Sequence, residues 1–129
     1  MSPRRVSIDT SSVVGLFLGR LAAQWPGPEH DLFVSTHVIG ELYYGAYRSR
    51  DPRSSCAQVA DFLSHCTVLR STDETARLFG KLKADLANRG ALIPDNDIWI
   101  AAAAIEHNLP LATRDNHFDR IPTLPVLRW

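Results

Sequence analysis

The sequence has little lysine and no net charge. Lys81 and Lys83 are the only lysines among 14 basic residues, the other 12 being arginine, and 14 acidic residues balance them. Without net charge the protein has no overall field that would draw it to nucleic acid or to an anionic membrane, so any such binding must be local. Arginine can grip phosphate with a planar pair of donors, but an excess of arginine over lysine is also an ordinary consequence of genomic base composition.

Cysteines and long hydrophobic runs are also scarce. Cys56 and Cys66 form no CxxC motif, zinc-ligand spacing or disulfide framework, so we expect two reduced thiols in a cytoplasmic protein. Near the N-terminus the longest unbroken apolar run covers residues 16–18, and Asp9 interrupts the segment that would otherwise resemble a signal peptide. We therefore expect neither export nor a membrane-spanning helix.

The length and the apolar content favour one domain. A chain of 129 residues with 45% hydrophobic residues has enough material for one ordinary core and too little for two. No linker, repeat or low-complexity tract divides the chain. We therefore expect a single domain over residues 1–129.

Apolar patterning alternates between strands and helices along the chain. Strands are predicted at residues 6–8, 32–35, 67–69, 110–113 and 124–127, and helices at residues 11–23, 36–50, 54–65, 71–90 and 98–105. Ser71 and Glu74 predict a capping box at the start of the fourth helix, and Asp95 or Asn96 can cap the fifth. This alternation predicts a three-layer α/β domain with a mostly parallel central sheet and helices on both faces.

Four acidic residues follow predicted strands or lie early in the next helices: Asp9, Glu41, Asp97 and Asp115. Ligands of open parallel sheets bind beyond the carboxyl ends of the strands, so we expect all four carboxylates at one edge of the sheet. Each acid alone could be a turn residue, a helix cap or a solvated surface group. Four of them at the same end of successive elements are harder to explain in that way.

Carboxylates that converge raise one another's pKa unless a cation lies among them. Oxygen ligands without histidine or cysteine select Mg²⁺ or Mn²⁺ over zinc. Such an ion lowers the pKa of a bound water and stabilises the charge that develops on phosphoryl oxygens. The four acids therefore predict metal-dependent hydrolysis of phosphodiesters.

Five blocks of sequence extend this interpretation. They are residues 8–11 (Ile-Asp-Thr-Ser), 36–45 with Glu41-Leu42-Tyr43-Tyr44-Gly45, 94–102 (Pro-Asp-Asn-Asp-Ile-Trp-Ile-Ala-Ala), 111–118 (Leu-Ala-Thr-Arg-Asp-Asn-His-Phe) and 124–129 (Leu-Pro-Val-Leu-Arg-Trp). In this order and over nearly the whole chain, they resemble the signature blocks of PIN-domain ribonucleases, specifically VapC-type toxins.

The resemblance implies a function, a cofactor and partners. It implies an endoribonuclease that depends on Mg²⁺ or Mn²⁺ and acts as the toxin of a type II toxin–antitoxin pair. It also implies a homodimer that a VapB-type antitoxin inhibits, with a tail in the acidic site, in a heterotetramer or a larger complex. Neither a membrane nor a second cofactor is implied.

The resemblance also assigns roles to residues. The acidic quartet of the family corresponds to Asp9, Glu41, Asp97 and Asp115, and its polar helper to Thr113. By the family's pattern Asp9 and Asp97 contact the metal most directly, while Glu41 and Asp115 contribute directly or through water.

Other classes of function remain open at this point. Aspartyl-phosphate phosphatases also place a nucleophilic aspartate after the first strand, but they need a second aspartate two positions later, where this chain has Ser11. A noncatalytic module that binds RNA or protein is a further alternative. A metal-free ribonuclease would have to use His37 and His117, which have no motif to support them.

Several aromatic and basic residues have two interpretations. Tyr44 could stack RNA bases, whereas Tyr43, Tyr47 and Trp99 fit the core, a dimer contact or a groove for an antitoxin helix better. Residues 48–53 carry three arginines that fit a solvated helix end, and Arg114 beside Asp115 could equally contact RNA phosphates.

Overall fold

The computed structural model describes residues 4–19 and 29–129. The elements follow the predicted alternation of strands and helices. In chain order they are β1 (Arg5–Ile8), α1 (Thr10–Phe17), β2 (Asp31–Ser35), α2 (Thr36–Tyr47), α3 (Pro52–Leu63), β3 (Thr67–Leu69), α4 (Asp73–Asn88), α5 (Asp95–Glu106), β4 (Leu111–Thr113), a 3₁₀ helix (Asn116–Arg120) and β5 (Val126–Arg128).

The strands form one sheet in the order β3-β2-β1-β4-β5, and every pairing between them is parallel. Val6, Ser7 and Ile8 of the central strand are all buried, although successive side chains of a strand point to opposite faces. Both faces of the sheet are therefore covered, as parallel sheets require. This confirms the predicted three-layer α/β architecture, and β5 lies at an edge as expected.

Small residues let α5 pack closely in the core. Its four consecutive alanines, residues 101–104, are all buried. Among the helices, α4 is the one that α5 contacts most extensively. Thr75 of α4 donates a hydrogen bond to the side chain of Glu106 at the end of α5 (2.5 Å). The close packing holds α5 in a defined position, which in turn fixes the location of the acidic residue in its first turn.

The helix starts differ from the predictions in two places. Thr72, and not Ser71, caps α4, and the reciprocal bond comes from the Thr75 side chain to the backbone N–H of Thr72 (2.9 Å). Glu74 instead forms an exposed ion pair with Arg77. At α5 the cap position is Pro94, without a side-chain hydrogen bond, so neither Asp95 nor Asn96 caps that helix. The first predicted helix, residues 11–23, is too long: α1 ends at Phe17 with Leu18 as its C-cap, and only residues 20–23 lie outside the described residues.

The C-terminal tryptophan packs against the first helix. A Cβ atom at Gly15 of α1 would lie 2.3 Å from Cη2 of Trp129, so only glycine fits at this contact. The indole Nε1 donates to Oγ of Ser12 (2.7 Å), and that hydroxyl donates to the carbonyl of Ala112 (2.7 Å). The chain end, α1 and β4 are thereby joined close to the carboxyl end of β1.

The remaining expectations about the chain concern cysteines and membranes. Cys56 and Cys66 are free, half-buried thiols. Burial raises the pKa of the Cys66 thiol to about 11. Across the described residues, we find no helix with both the length and the hydropathy that crossing a membrane requires.

Candidate active site

Strand register brings the first predicted acid beside the end of β4. Ile8 of β1 is paired with Ala112 of β4, so the next residues, Asp9 and Thr113, are neighbours where both strands end. The Thr113 hydroxyl donates a short hydrogen bond to the Asp9 carboxylate. A contact between residues 104 positions apart thus follows from the parallel pairing of two adjacent strands.

Asp9 is almost completely buried, with 3% of its surface exposed. Its carboxylate caps α1 by accepting from the backbone N–H of Ser12 (2.9 Å), and it also accepts from the hydroxyl of Ser11 (2.8 Å). Together with the Thr113 hydroxyl, these groups give the carboxylate three hydrogen-bond donors. A buried carboxylate is tolerated when donors of this kind compensate its lost hydration.

Thr113 links Asp9 to the segment that carries Asp115. While its hydroxyl donates to Asp9, its oxygen accepts the backbone N–H of Asp115 (2.8 Å). Asp115 then caps the 3₁₀ helix, since its Oδ1 accepts the backbone N–H of His117 (2.8 Å). One buried hydroxyl therefore sets the relative position of two acidic residues.

Asp97, Asp115 and His117 form a compact cluster. One ligand atom of each lies within 4.8 Å of the others. Nδ1 of His117 is 2.8 Å from Oδ2 of Asp97 and 3.3 Å from Oδ1 of Asp115, so the imidazole bridges the two carboxylates. Asp97 reaches this cluster from the first turn of α5, where the helix dipole favours a negative charge.

The electrostatics of this cluster suit a cation. Burial raises the pKa of Asp97, and the charges of Asp115 and Glu41 raise it further, against the opposing effect of the hydrogen bond to His117. Negative charge is therefore concentrated and only partly compensated here. Two carboxylates and one imidazole are also ligand types that divalent metal ions accept, so the donor set fits such an ion.

Glu41 completes the acidic group from α2. Its Oε1 accepts a hydrogen bond from the Thr10 hydroxyl (2.6 Å), the residue that follows Asp9. Glu41 also lies near enough to Asp97 to raise the pKa of that carboxyl. The four acids predicted from sequence thus share one neighbourhood at the carboxyl edge of the sheet.

The arrangement within that neighbourhood differs from the prediction in one respect. The sequence predicts an oxygen-only constellation without histidine, whereas His117 lies between two of the acids in the described part of the chain. The sequence positions of the histidines form no metal-ligand pattern. However, an aspartate that caps a 3₁₀ helix brings the residue two positions later close to its own carboxylate. The Asp-x-His spacing of Asp115 and His117 is therefore the sequence feature that could have indicated this contact.

The predicted aromatic residues have mixed locations. Trp99 is half-buried and stacks on Phe79, with ring centres 4.2 Å apart, which agrees with its expected structural role. Tyr47 is 69% exposed, so the core interpretation of this residue is wrong. Arg114 lies over the ring of Trp129, 4.8 Å from its centre.

Comparisons with known proteins agree with this fold. The PIN domain family model matches residues 6–124. A Haemophilus influenzae protein named ribonuclease VapC2 is 40% identical over 97 residues, and a Salmonella typhimurium protein named tRNA(fMet)-specific endonuclease VapC is 32% identical over 97 residues. Each alignment covers 74% of this chain and 74% of the relative.

A solved structure of a relative has the same fold. VapBC2 from Rickettsia felis, bound to a DNA fragment from its promoter, includes a chain that superposes with a TM-score of 0.88 at 25% identity. The superposition covers 97% of this chain and 98% of that one. This chain therefore belongs to the PIN-domain family, among the VapC ribonucleases.

Proposed function

We propose that this protein is an endoribonuclease that hydrolyses RNA phosphodiester bonds with Mg²⁺ or Mn²⁺ and acts as the toxin of a toxin–antitoxin pair. The observation that carries the proposal is the meeting of Asp97, Asp115 and His117, beside Glu41 and the anchored Asp9, at the carboxyl edge of the sheet. Relatives named as ribonucleases and endonucleases support it.

Asp97 and Asp115 are the residues best placed to hold the ion, with His117 as a third ligand or as the donor that keeps both carboxylates in place. Asp9 and Glu41 complete the proposed site. When bound, a divalent ion supplies a water of lowered pKa and stabilises the charge that develops on phosphoryl oxygens. Carboxylates favour Mg²⁺ or Mn²⁺, and the imidazole is compatible with Mn²⁺.

The chain's own residues keep the site rigid. Ser11, Ser12 and Thr113 fix the position of the Asp9 carboxylate by donating hydrogen bonds to it. Thr10 holds Glu41 in the same way. Because these donors are already in place, the negatively charged site needs little reorganisation to receive a cation and an RNA phosphate.

The same proposal includes partners and location. We propose that a VapB-type antitoxin inhibits the protein by occupying the acidic site; a structural relative named VapBC2 supports an antitoxin as partner. The toxin would act as a homodimer, in a heterotetramer or larger complex with antitoxin, and in the cytoplasm. We further propose that residues 1–129 form a single PIN domain.

RNA cleavage by the purified protein tests the function. Protein freed from antitoxin is incubated with labelled RNA in Mg²⁺, in Mn²⁺ or in EDTA, and products are resolved on a gel. We expect cleavage with either ion, none in EDTA, and none by Asp97→Asn or Asp9→Asn. Asp61→Asn, which alters an exposed acid on α3, serves as the matched control and should cut normally.

The alternatives predict different results. Binding of RNA without products under every ionic condition would support the noncatalytic module. Turnover of small phosphomonoesters with a covalently labelled Asp9 would support the phosphatase. Metal-independent cutting that Asp97→Asn retains would refute the proposed chemistry.

A further inference from the structure

A pocket of about 520 Å³ lies beside Glu41, between α2 and the first turn of α5. Its lining residues are Thr36, His37, Gly40, Glu41, Tyr44 and Asn96. The volume lies in the range of roughly 300–1,000 Å³ that is usual for small-ligand sites. Because Glu41 belongs to the candidate active site, a group in this pocket would lie next to the scissile phosphate.

One wall of the pocket is an imidazole held by a stack of rings. His37 lies parallel to Trp99, with ring centres 5.0 Å apart and planes 8° apart, and Trp99 stacks on Phe79 in turn. Nδ1 of His37 is buried and receives no hydrogen bond from any described residue, so stacking is what positions the ring. Since Trp99 covers one face, His37 presents its other face or its edge to the pocket.

An exposed tyrosine with an arginine beside it forms another part of the rim. The Tyr44 side chain is 64% exposed. Arg48 donates to the Tyr44 hydroxyl (2.9 Å), and its guanidinium lies 5.7 Å from the ring centre. Sites for single-stranded nucleic acid combine these two elements, an aromatic ring for the base and a positive charge for the backbone.

The remaining lining residues supply space and hydrogen bonds. A Cβ atom at Gly40 would have no heavy atom within 4 Å, so the missing side chain leaves the pocket open. Asn96 is exposed at the rim and carries both an amide donor and a carbonyl acceptor. Asparagine can pair with the edge of a base through these two groups.

We propose that this pocket receives one unstacked nucleobase of the RNA next to the bond that is cut, and that His37, Tyr44 and Asn96 set the base preferred there. The inference rests on the proposed function, because it assigns a specificity role within that same site. Flat aromatic surfaces, an amide edge and a nearby guanidinium together match a nucleotide, which has a planar base, polar base edges and an anionic phosphate.

Glycine substitutions allow a direct test. Gly40→Leu places a side chain in the pocket at a position where an added Cβ atom would meet no heavy atom within 4 Å. Gly80→Leu is the matched control, because Gly80 also lies inside a helix, α4, and is equally free of contacts at Cβ. Wild type, both variants and Asn96→Ala are assayed on RNA oligonucleotides randomised around the cut, with kcat, KM and the base at each position read from the products.

We expect Gly40→Leu to raise KM by about 5- to 150-fold, the usual effect of losing one stacked base. Asn96→Ala should flatten the base preference at one position while kcat stays nearer to the wild-type value. Gly80→Leu should match the wild type in every readout.

The outcomes separate this inference from the proposed function. Wild-type KM and an unchanged base profile in both Gly40→Leu and Asn96→Ala would overturn the inference alone. Size-exclusion chromatography gives a further check. If Gly40→Leu changes the elution volume but leaves the base profile unchanged, the pocket belongs to a contact with a second copy of the chain, and the inference is overturned. Absence of RNA cleavage by the wild type would overturn the proposed function and this inference together.

Discussion

Replacing Thr113 by valine tests how far one hydroxyl supports the acidic site. Valine keeps nearly the same shape but removes the donor to Asp9 and the acceptor for the N–H of Asp115. Thr113 is fully buried and Asp9 is 3% exposed, so water cannot easily replace the lost bond to the carboxylate. A hydrogen bond to a charged group contributes about 1.5–3 kcal/mol, and the partly buried N–H adds about 0.5–1.5 kcal/mol.

The expected loss of stability for Thr113→Val is therefore about 2–4 kcal/mol, out of a total of about 5–15 kcal/mol for an ordinary domain. For a chain of this size that corresponds to a fall in Tm of roughly 10 °C. Circular dichroism during heating and during urea titration measures it. RNA cleavage should fall as well, because Asp9 and Asp115 lose their common anchor.

Thr113→Ser is the matched variant, since it keeps the hydroxyl and loses only a methyl group. Its cost should be about 1 kcal/mol, the usual effect of one buried methyl, and its cleavage activity should exceed that of the valine variant. A valine variant within about 1 kcal/mol of the wild type, or a serine variant as unstable as valine, would refute the assigned role of the hydroxyl.

Three further perturbations follow from the structure. Gly15→Ala places a methyl group against Trp129, and overpacking of this kind should lower the free energy of unfolding by about 1–3 kcal/mol in urea titration. The pKa of Cys66, raised from 9.0 to about 11, should make its alkylation by iodoacetamide at pH 8 about 100-fold slower than in the unfolded chain, as followed by mass spectrometry. Asp97→Asn should raise Tm at pH 7 in EDTA, since burial and neighbouring carboxylates raise the pKa of Asp97 and ionisation there costs stability.

Each of these has an outcome that contradicts it. If Gly15→Ala leaves the midpoint of the urea titration unchanged, Trp129 has room to move away from the added methyl group. Equal alkylation rates in the folded and unfolded chains would show that burial does not raise the pKa of the Cys66 thiol. For Asp97→Asn, the gain should shrink as the pH falls and the wild-type carboxyl becomes protonated, so a gain that is constant with pH would contradict the electrostatic cause.

The order of strands and helices was predictable because hydrophobic periodicity is a local property. The meeting of Asp9 with Thr113 was also accessible, since parallel strands that end together bring the following residues together. The N-cap of α4 was predicted one residue too early, at Ser71 in place of Thr72. Ser71 and Thr72 can both cap a helix, and the i,i+3 spacing of Glu74 and Arg77 competes with the capping box by allowing the ion pair that the structure shows.

The finer geometry of the site depended on contacts between distant segments. The bond from Thr10 to Glu41 joins α1 to α2, and no spacing rule anticipates it. The contact of His117 with Asp97 was not predicted, because the two residues lie 20 positions apart on different elements. Sequence therefore identified which acids gather, while their donors and the bridging imidazole required the three-dimensional arrangement.

The sheet order also determines when the site can exist during synthesis. Asp9 and Glu41 emerge from the ribosome early, but Asp97, Thr113 and Asp115 are all translated in the last third of the chain. Since β1 borders β4 in the sheet, a growing polypeptide cannot assemble the cluster until the segment through Asp115 has been translated. The acidic cluster is therefore one of the last features of the fold that can form during synthesis.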